Sequence, residues 1–173
     1  HSPVNINRDA KGRLWFTSDD KLYRVAFADD GRSVLVDSLQ CKVANVNLMP
    51  EVCDVDGDGS AWITQEGRLF KVRYIEDQGL RMSGMLPDVH IGEDNRATSY
   101  LRAGNMVWIG TLKGLFRVDI ATGSSTCFRH SDADPRSVPN DEITGLCLSP
   151  DGEVVAGTLG GVCIYRSADQ SFD

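Results

Sequence analysis

Short runs of β-branched, aromatic and aliphatic residues recur along the whole chain, each bounded by Gly, Asp or Asn. That pattern predicts strands separated by turns, and helical period is absent throughout. Laid against one another, the runs repeat. Trp15, Trp62 and Trp108 stand 47 and 46 residues apart, and Val155 follows 47 further on in the same local setting. The four windows read Leu14-Trp15-Phe16-Thr17, Ala61-Trp62-Ile63-Thr64, Val107-Trp108-Ile109-Gly110 and Val154-Val155-Ala156-Gly157. Seven residues past each anchor come Leu22, Leu69, Leu115 and Val162, and ten past it Val25, Val72, Val118 and Tyr165. All three tryptophans of the chain fall on one repeat position, so the chain is a repeat array.

Each unit carries a turn just before its anchor: Asp9-Ala10-Lys11-Gly12, Asp56-Gly57-Asp58-Gly59, Ala103-Gly104-Asn105 and Ser149-Pro150-Asp151-Gly152. Asp and Asn bond back to their own backbone and Gly accepts positive φ, so these segments join antiparallel strands. Second turns follow at Leu112-Lys113-Gly114 and Leu159-Gly160-Gly161. The predicted innermost strands are 4–8, 50–55, 96–102 and 143–148, and the anchor strands 13–17, 60–64, 106–110 and 153–157. Third strands fall near 21–27, 68–75, 115–120 and 162–166, with outer strands near 33–37, 80–85 and 125–129 and a last one opening at Ser171-Phe172. The expected fold class is all-β, made of β-propeller blades of four antiparallel strands. The blades cover about 1–44, 45–92, 93–137 and 138–173, the last incomplete, so that residues 1–173 form a partial propeller of about four blades. A blade buries its two faces only against neighbouring blades. The expectation is therefore an arc of a larger ring, whose exposed blade face seeks other blades of a parent chain or a second copy.

Composition narrows the partners. The net charge of −7, from 25 acidic and 18 basic residues, disfavours nucleic acid and anionic membrane surfaces. No apolar run reaches membrane-spanning length, so no membrane contact by this segment is expected, and the amino terminus lacks the layout of a signal peptide. The five cysteines Cys41, Cys53, Cys127, Cys147 and Cys163 show no metal spacing, and Cys147 and Cys163 read as small buried hydrophobes. His1, His90 and His130 read as surface residues without a partner pattern for metal or base work, and no nucleophile elbow or phosphate loop is present. No catalysis and no cofactor are expected. The exception is calcium, since Asp54-Val55-Asp56-Gly57-Asp58-Gly59 matches the first half of a calcium loop, with Asp54, Asp56 and Asp58 as the ligands. The second half of such a loop fails at Gln65, and the preferred reading is a plain turn.

Phe128-Arg129-His130-Ser131-Asp132-Ala133-Asp134-Pro135-Arg136-Ser137-Val138-Pro139-Asn140-Asp141-Glu142-Ile143 is the most distinctive stretch. It resembles the linker between blades in the two-component-regulator propeller repeats, with an aromatic, an Asp-Pro segment, a Ser-Leu-x-Asn element and a β-branched residue opening the next strand. Trp108-Ile109-Gly110-Thr111 with Gly114-Leu115 and Val118-Asp119 is similar to the core of the same repeat, and Val155-Ala156-Gly157-Thr158 with Gly161-Val162 is a weaker copy. Likeness is close over residues 96–166 and looser over 1–95. The resemblance implies the periplasmic sensor region of a hybrid two-component system, an extracytoplasmic segment that senses oligosaccharides to control polysaccharide utilisation. Candidate ligand-binding residues lie where the chain approaches the innermost strands: Asn45, Asn47, Asp94, Asn95, Arg96, Tyr100, Asn140 and Asp141. Planar amides, Arg and an aromatic ring suit sugar hydroxyls and faces. Two other readings stay open. Gly12-Arg13-Leu14-Trp15-Phe16-Thr17 is also similar to repeats of propeller lyases such as the streptogramin lyase, and a WD-like protein-interaction scaffold is the third.

Overall fold

The computed structural model describes residues 6–18, 20–32, 34–41, 51–65, 68–92 and 95–173, and for residues 51–54 and 86–89 the backbone alone. Among the described residues, sixteen strands form four sheets, each a four-stranded antiparallel meander in which sequence neighbours pair. The first sheet holds β1 (Ile6–Arg8), β2 (Leu14–Ser18), β3 (Lys21–Phe27) and β4 (Val34–Gln40). The second holds β5 (Glu51–Val55), β6 (Ala61–Gln65), β7 (Arg68–Ile75) and β8 (Gly79–His90). The third holds β9 (Ala97–Ala103), β10 (Met106–Thr111), β11 (Gly114–Asp119) and β12 (Ser125–Phe128), and the fourth β13 (Ile143–Leu148), β14 (Val154–Thr158), β15 (Gly161–Arg166) and β16 (Ser171–Phe172). This is an all-β fold of propeller-type blades, as the repeat predicts. β8 runs well past the expected end at 85, because Gly84 does not take a positive φ and the next glycine to do so is Gly92, at 102°.

One turn geometry recurs before three of the anchors. In each, the first residue's N–H donates to the carbonyl four residues on, and its own carbonyl accepts from the glycine three residues on. The bonds are Asp9 to Arg13 and Gly12 (3.0 and 2.9 Å), Asp56 to Ser60 and Gly59 (2.8 and 2.9 Å), and Ser149 to Glu153 and Gly152 (2.8 and 2.9 Å). Gly12, Gly59 and Gly152 hold φ of 79°, 79° and 82°, a left-handed conformation that side chains resist. Cross-strand register repeats as well. Trp15 pairs with Arg24, Trp62 with Lys71, Trp108 with Arg117 and Val155 with Ile164.

The chain divides into two compact units, His1–Pro87 and Asp88–Asp173. In the first, β5 lies against β1 and β2, over a core of Trp15, Leu22, Cys41, Ala61, Ile63, Val72 and Leu80. In the second, β13 lies against β9 and β10, and the core joins Trp108, Leu115, Val138 and Ile143 to Ala156, Cys163, Tyr165 and Phe172. Four aromatics interlock there, with Trp108 edge-on to Tyr165 at 4.6 Å and Phe128 edge-on to Phe172 at 5.2 Å. Gly110 permits the approach of the two sheets, since a Cβ there would sit 2.7 Å from Ile143 Cγ2.

Strand alternation explains one departure from expectation. Cys163 is buried on the face that meets the third sheet, and burial pushes its thiol up to about 11. Cys147, expected to be buried, is exposed, because it pairs with Val155 on the opposite face. Val162 lies on that opposite face too. Leu22, Leu69 and Leu115 are fully buried at the same repeat position, whereas Val162 is 71% exposed. Leu115→Ala should therefore cost about 2–5 kcal/mol in urea unfolding, whereas Val162→Ala should stay within about 0.5 kcal/mol. Equal costs at the two positions would contradict this packing.

Candidate functional site

The second unit gathers several of the predicted ligand residues around two turns. Thr111 Oγ1 accepts the Lys113 N–H (3.1 Å) and donates to the Gly114 carbonyl (2.6 Å), tightening the β10–β11 turn. Thr158 does the same for β14–β15, accepting from Gly160 N–H and donating to Gly161 (both 3.0 Å). The chain approaching the innermost strands then ties onto these turns. Asn95 donates to Thr111 Oγ1 (3.0 Å) and to the Ile91 carbonyl (2.7 Å), the Arg96 carbonyl accepts from Leu112 N–H (3.1 Å), and the Asp141 carbonyl accepts from Gly114 N–H (2.8 Å). Asn140 accepts the Glu142 N–H at 2.8 Å and packs beside Gly160, where a Cβ would lie 3.1 Å from its own.

Asn95, Arg96 and Asp141 thus meet around one turn, and Asn140 stands at the next. Asn95 is only 3% exposed and its amide oxygen has no partner. Arg96 is exposed, and Tyr100 is half-buried on β9, paired across strands with Ile109. Asn45, Asn47 and Asp94 lie outside the described residues. The sequence reading passed over Thr111 and Thr158, whose signal is a threonine three residues beyond the third and fourth anchors.

The linker joining the third and fourth sheets is closed by His130. Its backbone N–H donates to Asp141 Oδ1 (2.7 Å), its Nδ1 lies 2.9 Å from the Val138 carbonyl and its Nε2 3.1 Å from Asp132 Oδ1. Both ring nitrogens face acceptors, which calls for both to carry protons. The Val138 carbonyl first, then the Asp132 carboxylate, raise the histidine above its ordinary 6.5.

In the first unit the acids serve the tryptophans. Asp9, 6% exposed, accepts from Trp15 Nε1 (3.0 Å), Arg13 Nε (2.5 Å) and the N–H groups of Lys11 and Arg13 (2.9 and 3.0 Å). Burial alone would raise its carboxyl, but the indole and Arg13 donors outweigh burial and hold it below the usual range. Asp56 Oδ2 likewise takes Trp62 Nε1 (3.1 Å), Lys71 Nζ (2.7 Å) and Ser60 Oγ (3.1 Å). Asp58 Oδ1 accepts from Ser60 Oγ (2.5 Å) and Ser60 N–H (2.9 Å), which hold it below the usual range against its burial, with help from Lys71 and Arg73. A cation lies over an aromatic ring beside each of the three tryptophans: Arg24 Cζ 3.9 Å from the Tyr74 centroid, Lys71 Nζ 5.3 Å from Trp62, and Arg117 Cζ 5.6 Å from Tyr165. Residues 56–59 form the turn of the repeat, and Lys71 Nζ pairs with the Asp56 carboxylate. Of Asp54 only the backbone is described. Among the described residues, no group of three metal-binding side chains converges. The tryptophan clamp was legible as an Asp six residues before the first two anchors, and the cation as Arg24, Lys71 and Arg117 nine residues after three of them.

No family model and no curated protein sequence matches the chain. Solved structures share its fold. The extracellular domain of BT4673 from B. thetaiotaomicron, described both as a one-component and as a hybrid two-component system, aligns over 99% of this chain at 20% identity and a TM-score of 0.68. The extracellular domain of BT3049 from B. thetaiotaomicron, also described as a hybrid two-component system, aligns over 99% at 23% identity and 0.61. Virginiamycin B lyase from Staphylococcus aureus aligns over 99% at 16% identity and 0.66. The chain spans 21%, 24% and 54% of those three chains. Among the described residues, no helix is long and apolar enough to cross a membrane.

Two outcomes follow from these contacts. Asp9→Ala leaves the buried Trp15 indole and the half-buried Arg13 guanidinium without their acceptor, and should cost about 3 kcal/mol in chemical denaturation. His130 has its pKa raised on folding, so its contribution is complete below pH 6.5 and disappears as pH rises through the folded value. Histidine resonances should titrate above 6.5, and His130→Gln should flatten the loss of linker stability across that window. An unshifted His130 titration would rule the pairing out.

Proposed function

We propose that the chain is a ligand-sensing segment of a signalling receptor, placed outside the cytoplasmic membrane. The observation that carries this reading is the match of the fold, over 99% of the chain, to extracellular domains from two systems described as two-component regulators. The distinctive linker at 128–143, by which the sequence resembles the repeats of such regulators, supports it independently. In this reading the segment binds and does no chemistry. Its ligand is an oligosaccharide contacted where chain approaches the innermost strands, with exposed Arg96 offering a planar donor fork and Tyr100 a ring. Asn95, Asn140 and Asp141 hold the turns beneath that surface. The outer face of the fourth sheet, which carries Val162, is covered by further blades of a parent chain or by a second copy, and concentration-dependent sedimentation is the signature of the latter.

A second reading, a propeller lyase, is favoured by the larger share of the virginiamycin B lyase that the chain spans. A structure of that enzyme described as catalytically inactive has a histidine replaced by alanine. Here His90 is exposed, and His130 is held by Asp132 and the Val138 carbonyl.

Calorimetric titration with a panel of plant and host oligosaccharides tests the first reading. Saturable binding of at least one should weaken roughly tenfold when Arg96→Ala removes a charged hydrogen bond. Millimolar calcium should leave the melting temperature unchanged, since Lys71 already occupies Asp56. No binding across the panel, or cleavage of a streptogramin, would reject the sensing role in favour of another.

A further inference from the structure

The two units correspond residue for residue across a spacing of 93, which relates Trp15 to Trp108, Arg13 to Met106 and Gly59 to Gly152. In the first unit Arg13 fills the cleft between the two sheets. Its Nε bonds Asp9, and its Nη2 lies 2.5 Å from where a Cβ on Gly59 would sit. Beside it, Asp58 Oδ2 has Lys71 and Arg73 at 3.7 Å each.

In the second unit the plug is gone. Met106 stands in place of Arg13, and nothing lies within 4 Å of a Cβ placed on Gly152. A groove of about 430 Å³ opens instead, lined by Met106, Trp108, Asp151, Glu153, Tyr165 and Arg166, among others. Its Asp151 lacks the cations that its counterpart has. Asp151 corresponds to Asp58, but the counterpart of Lys71 is Ile164, and the counterpart of Arg73, Arg166, is spent on Glu153 (2.5 Å) and Asp173 (2.6 Å). The groove thus keeps an apolar floor and the Asp151 carboxylate at its rim while lacking the side chain that fills its twin, and the counterpart of Asp9, which holds Arg13, is Arg102.

We propose that this groove is a binding site for an arginine side chain presented by a partner polypeptide. The methylene stem lies along Met106 and the edges of Trp108 and Tyr165, and the planar guanidinium faces Asp151 beside Gly152, whose counterpart Gly59 meets Arg13 in the first unit. A guanidinium fits better than an ammonium, because its fork pairs with carboxylates in two directions and it is weakly hydrated. The site is independent of the oligosaccharide surface proposed above.

The test is a titration followed by amide and methyl NMR, with acetyl-Gly-Arg-Gly-amide as probe and the same peptide carrying citrulline, the neutral isostere, as control. The arginine peptide should shift the Gly152 amide and the Met106 methyl saturably, and the citrulline peptide should bind at least about tenfold more weakly, the loss of one charged pairing. Met106→Arg should abolish binding by supplying the plug from within, while keeping a dispersed spectrum. Asp151→Asn, at an exposed position, should weaken binding by roughly tenfold, and it decides the matter alone if the Met106 variant does not fold. Equal affinity for citrulline, no saturable shift, or binding unchanged by Asp151→Asn would overturn the proposal.

Discussion

A four-stranded meander has two faces, and in this protein both are apolar. A sheet built that way cannot keep one face in water, so it must be covered by a neighbour of the same kind. Within the second unit, Trp108 and Leu115 of the third sheet close over Ala156, Cys163 and Tyr165 of the fourth. The pairing of sheets within each unit answers that requirement. Val162 and Cys147 mark where it is unanswered, since the residues at the Val162 position elsewhere are fully buried.

Burying a tryptophan at the centre of three of the sheets creates a second demand, because its indole N–H must find an acceptor. Asp9 and Asp56 meet it, and the same carboxylates cap the turns that start the anchor strands. The cross-strand cations Arg24, Lys71 and Arg117 then cover the rings and reach the acids or the neighbouring sheet. In the fourth sheet Trp, Asp and cation are replaced together by Val155, Ser149 and Ile164. The third sheet keeps Trp108 and Arg117 but carries Arg102 where the first two have the acid.

The same economy separates structural polar groups from those free to meet a ligand. Near the β10–β11 turn, Asn95 and Asp141 satisfy backbone and hydroxyl groups, and Arg96 alone of that group projects into solvent. The fold fixes how the chain reaches the innermost strands, and which side chains remain available follows from what the turns consume. The groove beside Met106 arises in a similar way, where a residue that fills the cleft in one unit is replaced in the other.

Much of the fold was legible in the chain. The spacing of Trp15, Trp62 and Trp108 set the repeat, and alternation with Asp-Gly and Asn turns set the strands, because period 2 and turn chemistry are local properties. The turn reading of Asp56 to Gly59 was legible on the same grounds. Other features depended on contacts far apart in sequence. Burial of Cys163 and exposure of Cys147 hinge on which face meets a neighbouring sheet, and no local pattern states that. Two residues of identical repeat position, Leu115 and Val162, differ wholly in exposure for the same reason. Likewise the candidate polar residues were chosen by position along the strands, whereas their hydrogen bonds to Thr111, Gly114 and His130 were decided by how the strands fold back on one another. Sequence determined the unit, its register and its turns. Tertiary structure alone decided which faces are covered, which polar groups are consumed and where a cleft is left open, since those depend on neighbours brought together only by packing.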